Sequence, residues 1–222
     1  MDELLSRLAD AIERGKVDRS TPYPPDMNDE DGVSELIQEA VKNAGPPQQI
    51  LTQSLMTGMN KIGKKFSTGE AFIPDLLMSA RAMNKAMEYL KPFFEAGEAE
   101  YKGKIIVGTV AGDLHEIGKN IVRMVVEGGG WKVTDLGVDV TAEKFMTALE
   151  DNPGSSIGMS ALLTTTMLNM EKSTVVIKRE YPGTPVYIGG APVSQEFSLK
   201  IGADGYFPDP YLFIQYLEAN SG

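Results

Sequence analysis

The sequence predicts an α/β protein: a helical bundle over residues 1–94, then a flavodoxin-like (Rossmann-like) sheet of five parallel strands over residues 104–222. Three observations predict it. Apolar residues at helical spacing fill the first part. Short apolar runs alternate with helical patterns through the second, which implies a parallel, doubly wound sheet. Between them "EAGEAEYKG", residues 95–103, is polar and glycine-containing and reads as a linker between domains.

In chain order, "DELLSRLADAIER" is apolar at Leu4, Leu5, Leu8 and Ile12, which is helical spacing. "STPYPPDMNDEDG" is a Pro- and Asp-rich loop. "VSELIQEAVKNAG", closed by Gly45, and "PQQILTQSLMTGMNKIGKKF" continue the helical pattern; after "STGEAFIP" comes "DLLMSARAMNKAMEYLKPFF". Four helices joined by short loops form a bundle. Beyond the linker, "KIIVGTV", "WKVTDLG", "SSIGMSA", "TPVYIGG" and "ADGYFP" read as buried strands. "KNIVRMVVEGG", "AEKFMTALED", "MLNMEKSTVVIKREY", "VSQEFSLKIG" and "PYLFIQYLEAN" read as the intervening helices. Ligands of such sheets bind at the carboxyl ends of the strands. "AGDLHEIG", "SALLTT" and "GGAP" follow the first, third and fourth strands, so all three lie on that edge.

Composition narrows the function. The 222 residues carry a net charge of −10, which disfavours binding to a phosphate backbone and sets nucleic acid aside. There is no cysteine, hence no disulfide, no thiolate metal site and no cysteine nucleophile, in keeping with a reducing cytoplasm. The N-terminus is charged and amphipathic, unlike a signal peptide. No apolar run approaches the ~18 residues of a membrane span. The 12 methionines read as core filler.

His115 is the one histidine of the chain. It follows a buried strand at the binding edge, and Asp113, two residues earlier, is placed to take the proton of one ring nitrogen, leaving the other free as base or metal ligand. An exposed loop histidine without a role is the plain alternative. A lone imidazole with no cysteine cannot complete a zinc site, which needs three or four protein ligands. Either a macrocycle supplies the remaining coordination, as haem-like and corrin-like groups do, or His115 acts on protons without a metal. Gly189 and Gly190 leave space for a flat ligand near the backbone, or make an ordinary turn. Ser160 ends the third strand, placed to hydrogen-bond a buried polar group. No dinucleotide or P-loop glycine pattern stands in the right place.

Together these pieces resemble the cobalamin-binding fold of corrinoid methyltransferase proteins, whose fingerprint is D-x-H-x-x-G, S-x-L and G-G at set intervals. Here Asp113, His115 and Gly118 are followed by 41 residues, then Ser160-Ala161-Leu162, then 26 residues and Gly189-Gly190. "GMNKIGKKFSTGEAFIPDLLMSARAM" resembles the helical cap domain of methionine synthase and of the free-standing corrinoid proteins, so the resemblance covers nearly the whole chain. "RSTPYPPDMNDED" is longer than the usual link between the first two helices, a departure that bears on docking or assembly rather than on chemistry.

The resemblance implies cobalamin as cofactor, passing through methylcobalamin and Co(I), with its benzimidazole tail in a slot between sheet and helix. It implies His115 as the lower cobalt ligand, Asp113 holding the other ring proton and Thr166 completing a relay. Ser160 and Thr164 would contact the tail, with Gly118, Gly189 and Gly190 leaving room for it, and Leu162 would also belong to the cofactor site. Phe66 and Ile73 would cover the methyl-bearing face, although as bundle core they would need no such role. The implied function is a methyl carrier that is not catalytic alone. It would be served by a substrate:corrinoid methyltransferase, of O-demethylase or methylamine type, and by a second methyltransferase acting on tetrahydrofolate or a thiol. A reductive activase and a homodimer belong to the same expectation. The alternatives are the small subunit of an adenosylcobalamin mutase, which generally lacks the cap, and a cobalamin-sensing regulator, which usually adds a DNA-binding segment. A flavodoxin-like electron carrier would leave His115 and the cap unexplained.

Overall fold

The computed structural model describes residues 2–43 and 45–220, so Ala44, inside the second helical pattern, lies outside the described residues. The chain forms two compact units. One holds the residues up to Tyr101 with Met124–Gly130; the other holds Lys102–Arg123 and the residues from Trp131 onward.

The first unit is helical: α1 (Asp2–Glu13), α2 (Val33–Asn43), α3 (Pro47–Ile50), α4 (Met56–Thr68) and α5 (Ile73–Glu95). The pattern over residues 47–66 reads as one plain helix, and the structure differs inside it. A π-helical turn, Leu51–Leu55, joins α3 to α4, with the Met56 N–H reaching the Leu51 carbonyl. Ser54 Oγ donates to the Ile50 carbonyl at 2.5 Å, a side-chain bond that competes with the regular ladder. Leu8, Ile12, Ile37, Leu55, Leu76, Met83 and Leu90 are wholly buried and form the apolar interior of this unit. The long loop between α1 and α2 holds one 3₁₀ turn, Pro25–Met27. It is tied down by Arg14–Asp26 and Arg19–Asp31 ion pairs and by Tyr23 Oη, which donates to Asp75 Oδ1 at 2.9 Å. The helix α4 ends on Gly69, left-handed at φ 78°.

The second unit is the expected α/β layer. Its strands are β1 (Lys104–Thr109), β2 (Lys132–Asp135), β3 (Ser156–Ser160), β4 (Val186–Gly189) and β5 (Gly205–Tyr206). Its helices are α6 (Ile117–Gly128), whose last residues group with the first unit, α7 (Ala142–Asp151), α8 (Met167–Glu180), α9 (Gln195–Ile201) and α10 (Pro210–Ala219). All strand pairs are parallel, in the order β2-β1-β3-β4-β5. Ile105, Ile106, Val107, Ile157, Met159, Val186 and Ile188 are buried, which is why these strands read as continuous apolar runs. The run "ADGYFP" contracts to a two-residue edge strand. The Phe207 N–H still donates to the Ile188 carbonyl at 3.1 Å, one residue past the strand. The chain leaves β1 in both directions, so the loops after β1 and β3 meet at the switch point, where the Val110 N–H donates to the Ser160 carbonyl at 3.0 Å. No helix among the described residues is long and apolar enough to cross a membrane.

One packing contact gives a test with an unusual sign. A Cβ on Gly58 of α4 would lie 2.5 Å from the Ala9 carbonyl oxygen and 2.7 Å from Ile12 Cβ, so α1 and α4 touch through their backbones. In a free helix Gly→Ala stabilises by about 1 kcal/mol. Here Gly58→Ala should instead cost about 2 kcal/mol through overpacking, seen as a lowered urea midpoint. A raised midpoint would contradict the close approach.

Candidate functional site

The site is built on the carboxyl edge of the sheet. After β1 the chain turns through Gly112, at φ 80°, and delivers Asp113 inward and His115 outward. Asp113 is wholly buried, whereas 51% of the His115 side chain is exposed. Both Asp113 oxygens are used twice. Oδ1 accepts the backbone N–H of His115 at 3.0 Å and faces its ring Nδ1 at 2.7 Å. Oδ2 accepts the Leu162 N–H at 2.7 Å and lies 2.8 Å from Thr166 Oγ1. Thr166, which precedes α8, is also 2.8 Å from the Leu163 carbonyl, so its single hydroxyl hydrogen serves one of two acceptors at a time.

Burial by itself would raise the Asp113 carboxyl pKa. The Leu162 and His115 amides, the imidazole and the Thr166 hydroxyl outweigh it and hold that pKa well below the ordinary value of 3.8. An ionised carboxylate cannot donate, so Nδ1 must carry the ring proton and Nε2 is left as a lone-pair donor.

The histidine loop is held at further points that its own sequence does not announce. Thr109 Oγ1 donates to the His115 carbonyl at 2.9 Å, and Asn169 Nδ2 of α8 donates to the Ala111 carbonyl at 2.8 Å. Asp139, in the loop after β2, accepts the Gly112 N–H at 2.7 Å. Lys119, in the first turn of α6, is 3% exposed and lies 2.7 and 2.6 Å from the two Asp135 oxygens and 2.7 Å from Asn120 Oδ1. A buried ammonium needs such partners, because the desolvation cost is otherwise uncompensated. It ties α6 to the end of β2.

The structure thus brings Asp113, His115, Leu162 and Thr166 into one cluster. Ser160 ends β3 half-buried, in register with Gly189 at the end of β4. Thr164 is exposed in the turn after β3. Gly118 opens onto free space, with no heavy atom within 4 Å of where a Cβ would stand. Gly190 has a different need: at φ 130° its Cβ would fall 1.9 Å from the Ala161 carbonyl oxygen, so chain packing alone requires glycine there. In the first unit Phe66 is half-buried near the end of α4 and Ile73, the first residue of α5, is exposed, so neither sits in the bundle core. Phe72, unremarked in the sequence, is 67% exposed beside them. It occupies the cap position of α5, where a polar residue is usual, and its N–H is taken by Asp75 Oδ2 at 2.8 Å.

A fully occupied Asp113 has no oxygen left for a metal, and no group of three or more His, Asp or Glu able to hold one exists among the described residues. The loops that carry His115 and Leu162 expose four large apolar side chains, Leu114 and Ile117 at 71% and 75% and Leu162 and Leu163 besides, alongside the polar Glu116 and Thr164. A flat apolar group that brings its own in-plane metal ligands fits this arrangement; a protein-only metal site does not. The comparisons with known proteins decide between candidates. Residues 103–212 match the B12 binding domain family, and residues 28–91 match a second B12 binding domain family. A corrinoid protein of Desulfitobacterium hafniense (strain Y51) is 40% identical over 183 residues, 80% of this chain and 85% of that one.

The chain belongs to the corrinoid proteins of methyltransferase systems. Cobalamin is its cofactor. Trimethylamine corrinoid protein 1 of Methanosarcina acetivorans is 37% identical to this corrinoid protein over 182 residues, 80% of this chain and 84% of the relative. Among solved structures, the methanol:cobalamin methyltransferase complex of Methanosarcina barkeri matches with a TM-score of 0.81 at 30% identity, over 99% of this chain and 80% of that one.

The carboxylate gives a pH test. Its pKa lies below the unfolded value, so it adds stability above pH 3.8 that drains away as pH falls further. Asp113→Asn should therefore lower stability at neutral pH and flatten the acid limb below about pH 4 in denaturant titrations. An acid limb identical to that of the parent chain would contradict the depressed carboxyl.

Proposed function

We propose that this corrinoid protein is a methyl carrier that holds cobalamin through His115 Nε2 as the lower axial ligand, with the benzimidazole tail displaced. The observation that carries the reading is the His115–Asp113 pair, in which a buried, ionised carboxylate fixes the ring tautomer and leaves one imidazole nitrogen directed outward. When bound, cobalamin supplies a cobalt centre able to accept and release a methyl group. The chain's own residues then do four things. Asp113 strengthens the imidazole as a donor by holding its other proton, and Thr166 lends that carboxylate a movable hydrogen bond. Leu114, Ile117, Leu162 and Leu163 offer the macrocycle an apolar seat. Ser160, Thr164, Gly118, Gly189 and Gly190 are assigned to the tail, Gly190 through the chain packing it permits. Phe66 and Ile73 are assigned to the upper face, where apolar cover slows access of water and oxidants.

The methyl group would come from a substrate:corrinoid methyltransferase and leave with a second methyltransferase acting on tetrahydrofolate or a thiol; a reductive activase would restore oxidised cofactor. The name of the Methanosarcina acetivorans relative favours a methylated amine as donor over an O-demethylation substrate.

Two experiments test this. In the Co(II) form, electron paramagnetic resonance of protein carrying nitrogen-15 histidine should show a superhyperfine pattern that changes with the label. His115→Ala should still bind cobalamin but lose that sensitivity. A pattern indifferent to the label in the parent protein means that benzimidazole, not His115, is on cobalt. Separately, purified holoprotein in reduced form should show no demethylation of trimethylamine alone and gain it on adding a cognate methyltransferase together with a second methyltransferase and its thiol or folate acceptor. Turnover by the chain without a second protein would overturn the carrier role.

A further inference from the structure

Asp139 stands in the short segment between β2 and α7, with φ at 54°, a left-handed conformation that few non-glycine residues adopt, Asp and Asn foremost among them. Such outliers persist where surrounding structure over-determines them. Here the determinants are visible. Thr109 is bonded on both sides to this segment, its N–H donating to the Gly137 carbonyl at 3.0 Å and its carbonyl accepting the Val140 N–H at 2.9 Å. Val140 also forms a parallel bridge with Val110. That register sets Asp139 beside Gly112 and Asp113. Its Oδ1 accepts the Gly112 N–H at 2.7 Å, and its own N–H donates to the Asp113 carbonyl at 3.1 Å. One residue therefore takes both the donor of Gly112 and the acceptor of Asp113.

We propose that Asp139 is a positioning residue for His115: by clamping the Gly112–Asp113 backbone it sets the direction in which Nε2 is presented. This rests on the reading of His115 as the lower cobalt ligand. The other anchors leave a place for it. Leu162 and Thr166 fix the far end of the Asp113 side chain, the Val110 carbonyl takes the Asp113 N–H at 3.1 Å, Asn169 fixes the Ala111 carbonyl, and Thr109 fixes the His115 carbonyl, so the Gly112 N–H is the point left to Asp139. Gly112 has no side chain to restrain it, and its positive φ of 80° belongs to the most permissive residue type. Without Asp139 the dipeptide that carries Asp113 could pivot about the fixed carboxylate, and the imidazole hydrogen-bonded to that carboxylate would tilt with it. Ligand placement tolerates only about 10–20° of error, so such a pivot matters.

The test separates the side-chain acceptor from the backbone conformation. Asp139→Asn keeps an oxygen at the Gly112 N–H and accepts the left-handed conformation. Asp139→Gly keeps the conformation and removes the acceptor; Asp139→Ala is a second removal should the Gly variant fail to fold. Each is prepared as full-length protein with nitrogen-15 histidine and read in two ways. In the cofactor-free protein the single imidazole gives one set of nitrogen NMR signals, reporting the tautomer. In the cobalamin-loaded Co(II) form, electron paramagnetic resonance reports the fraction of cobalt bound by histidine nitrogen. The parent and Asp139→Asn should show one tautomer with a bonded Nδ1 proton and the label-sensitive pattern. Asp139→Gly should show mixed tautomers and a nitrogen-ligated fraction lower by roughly tenfold, the size of effect typical for residues behind a metal ligand. Parent-like spectra in Asp139→Gly, or equal losses in Asp139→Asn and Asp139→Gly, would overturn the positioning role alone. A parent protein with no label-sensitive signal would overturn the lower-ligand reading itself, and the proposal with it.

Discussion

The buried carboxylate of Asp113 is the constraint on which the site depends. Removing an ionised carboxylate from water costs several kcal/mol unless its acceptor positions are filled. Here all are filled, by the His115 amide and ring, the Leu162 amide and the Thr166 hydroxyl. Two of these partners come from the loop after β1 and two from the loop after β3. The histidine can therefore be presented only when β1 and β3 are paired and α8 has begun where it does. Formation of the sheet and formation of the site are one event, and a partly satisfied version of the cluster would be less stable than none.

The opposite side of the histidine loop is held in a different way. There the segment from Asp135 to Asp139 supplies two carboxylates. Asp135 neutralises the buried Lys119, and its Oδ1 accepts the Gly137 N–H at 2.9 Å. Asp139 bonds Gly112. The loop between β1 and α6 is thus bracketed by the ends of both neighbouring strands, β3 on one flank and β2 on the other. Outward from this bracket the loops expose large apolar side chains among polar ones. Leaving Leu114, Ile117, Leu162 and Leu163 in water is unfavourable, a cost that burial against an apolar partner would offset. His115 is the one histidine of the chain, and its pairing with Asp113 is the feature on which the proposed ligand role rests.

Much of the fold is legible in the sequence because its signals are local. The pattern "AEKFMTALED" coincides with α7, and the five apolar runs each contain their strand. The strand order follows from the doubly wound arrangement and the handedness of its crossovers. Asp113, His115, Gly118, Ser160, Leu162, Gly189 and Gly190 could be named from spacing because the fingerprint is a pattern along the chain. Where a local signal was absent, the reading stopped. The π turn at Leu51–Leu55 lies inside an unbroken helical pattern, beside a bond from Ser54 to the Ile50 carbonyl. The shortening of β5 to Gly205–Tyr206 has no mark within the run "ADGYFP".

What only tertiary structure decided is the set of contacts between distant residues. Leu162 reaches Asp113 across 49 positions, Asn169 reaches Ala111 across 58, and Asp139 reaches Gly112 across 27. The fingerprint marks Asp113 and Leu162 without saying that they bond, and the other two pairs have no period or motif, because each contact is created by strands laid side by side in a particular register. Gly190 shows the same division. The sequence marks the glycine, whereas the fold supplies its reason, a Cβ that would collide with the Ala161 carbonyl. The sequence alone thus determined the layer architecture, the lone imidazole and the carboxylate beside it, since periodicity and spacing are properties of the chain. The direction of Nε2, the ionised state of Asp113 and the clamp at Asp139 were decided by tertiary structure, since hydrogen-bond geometry exists only between segments that folding has brought together.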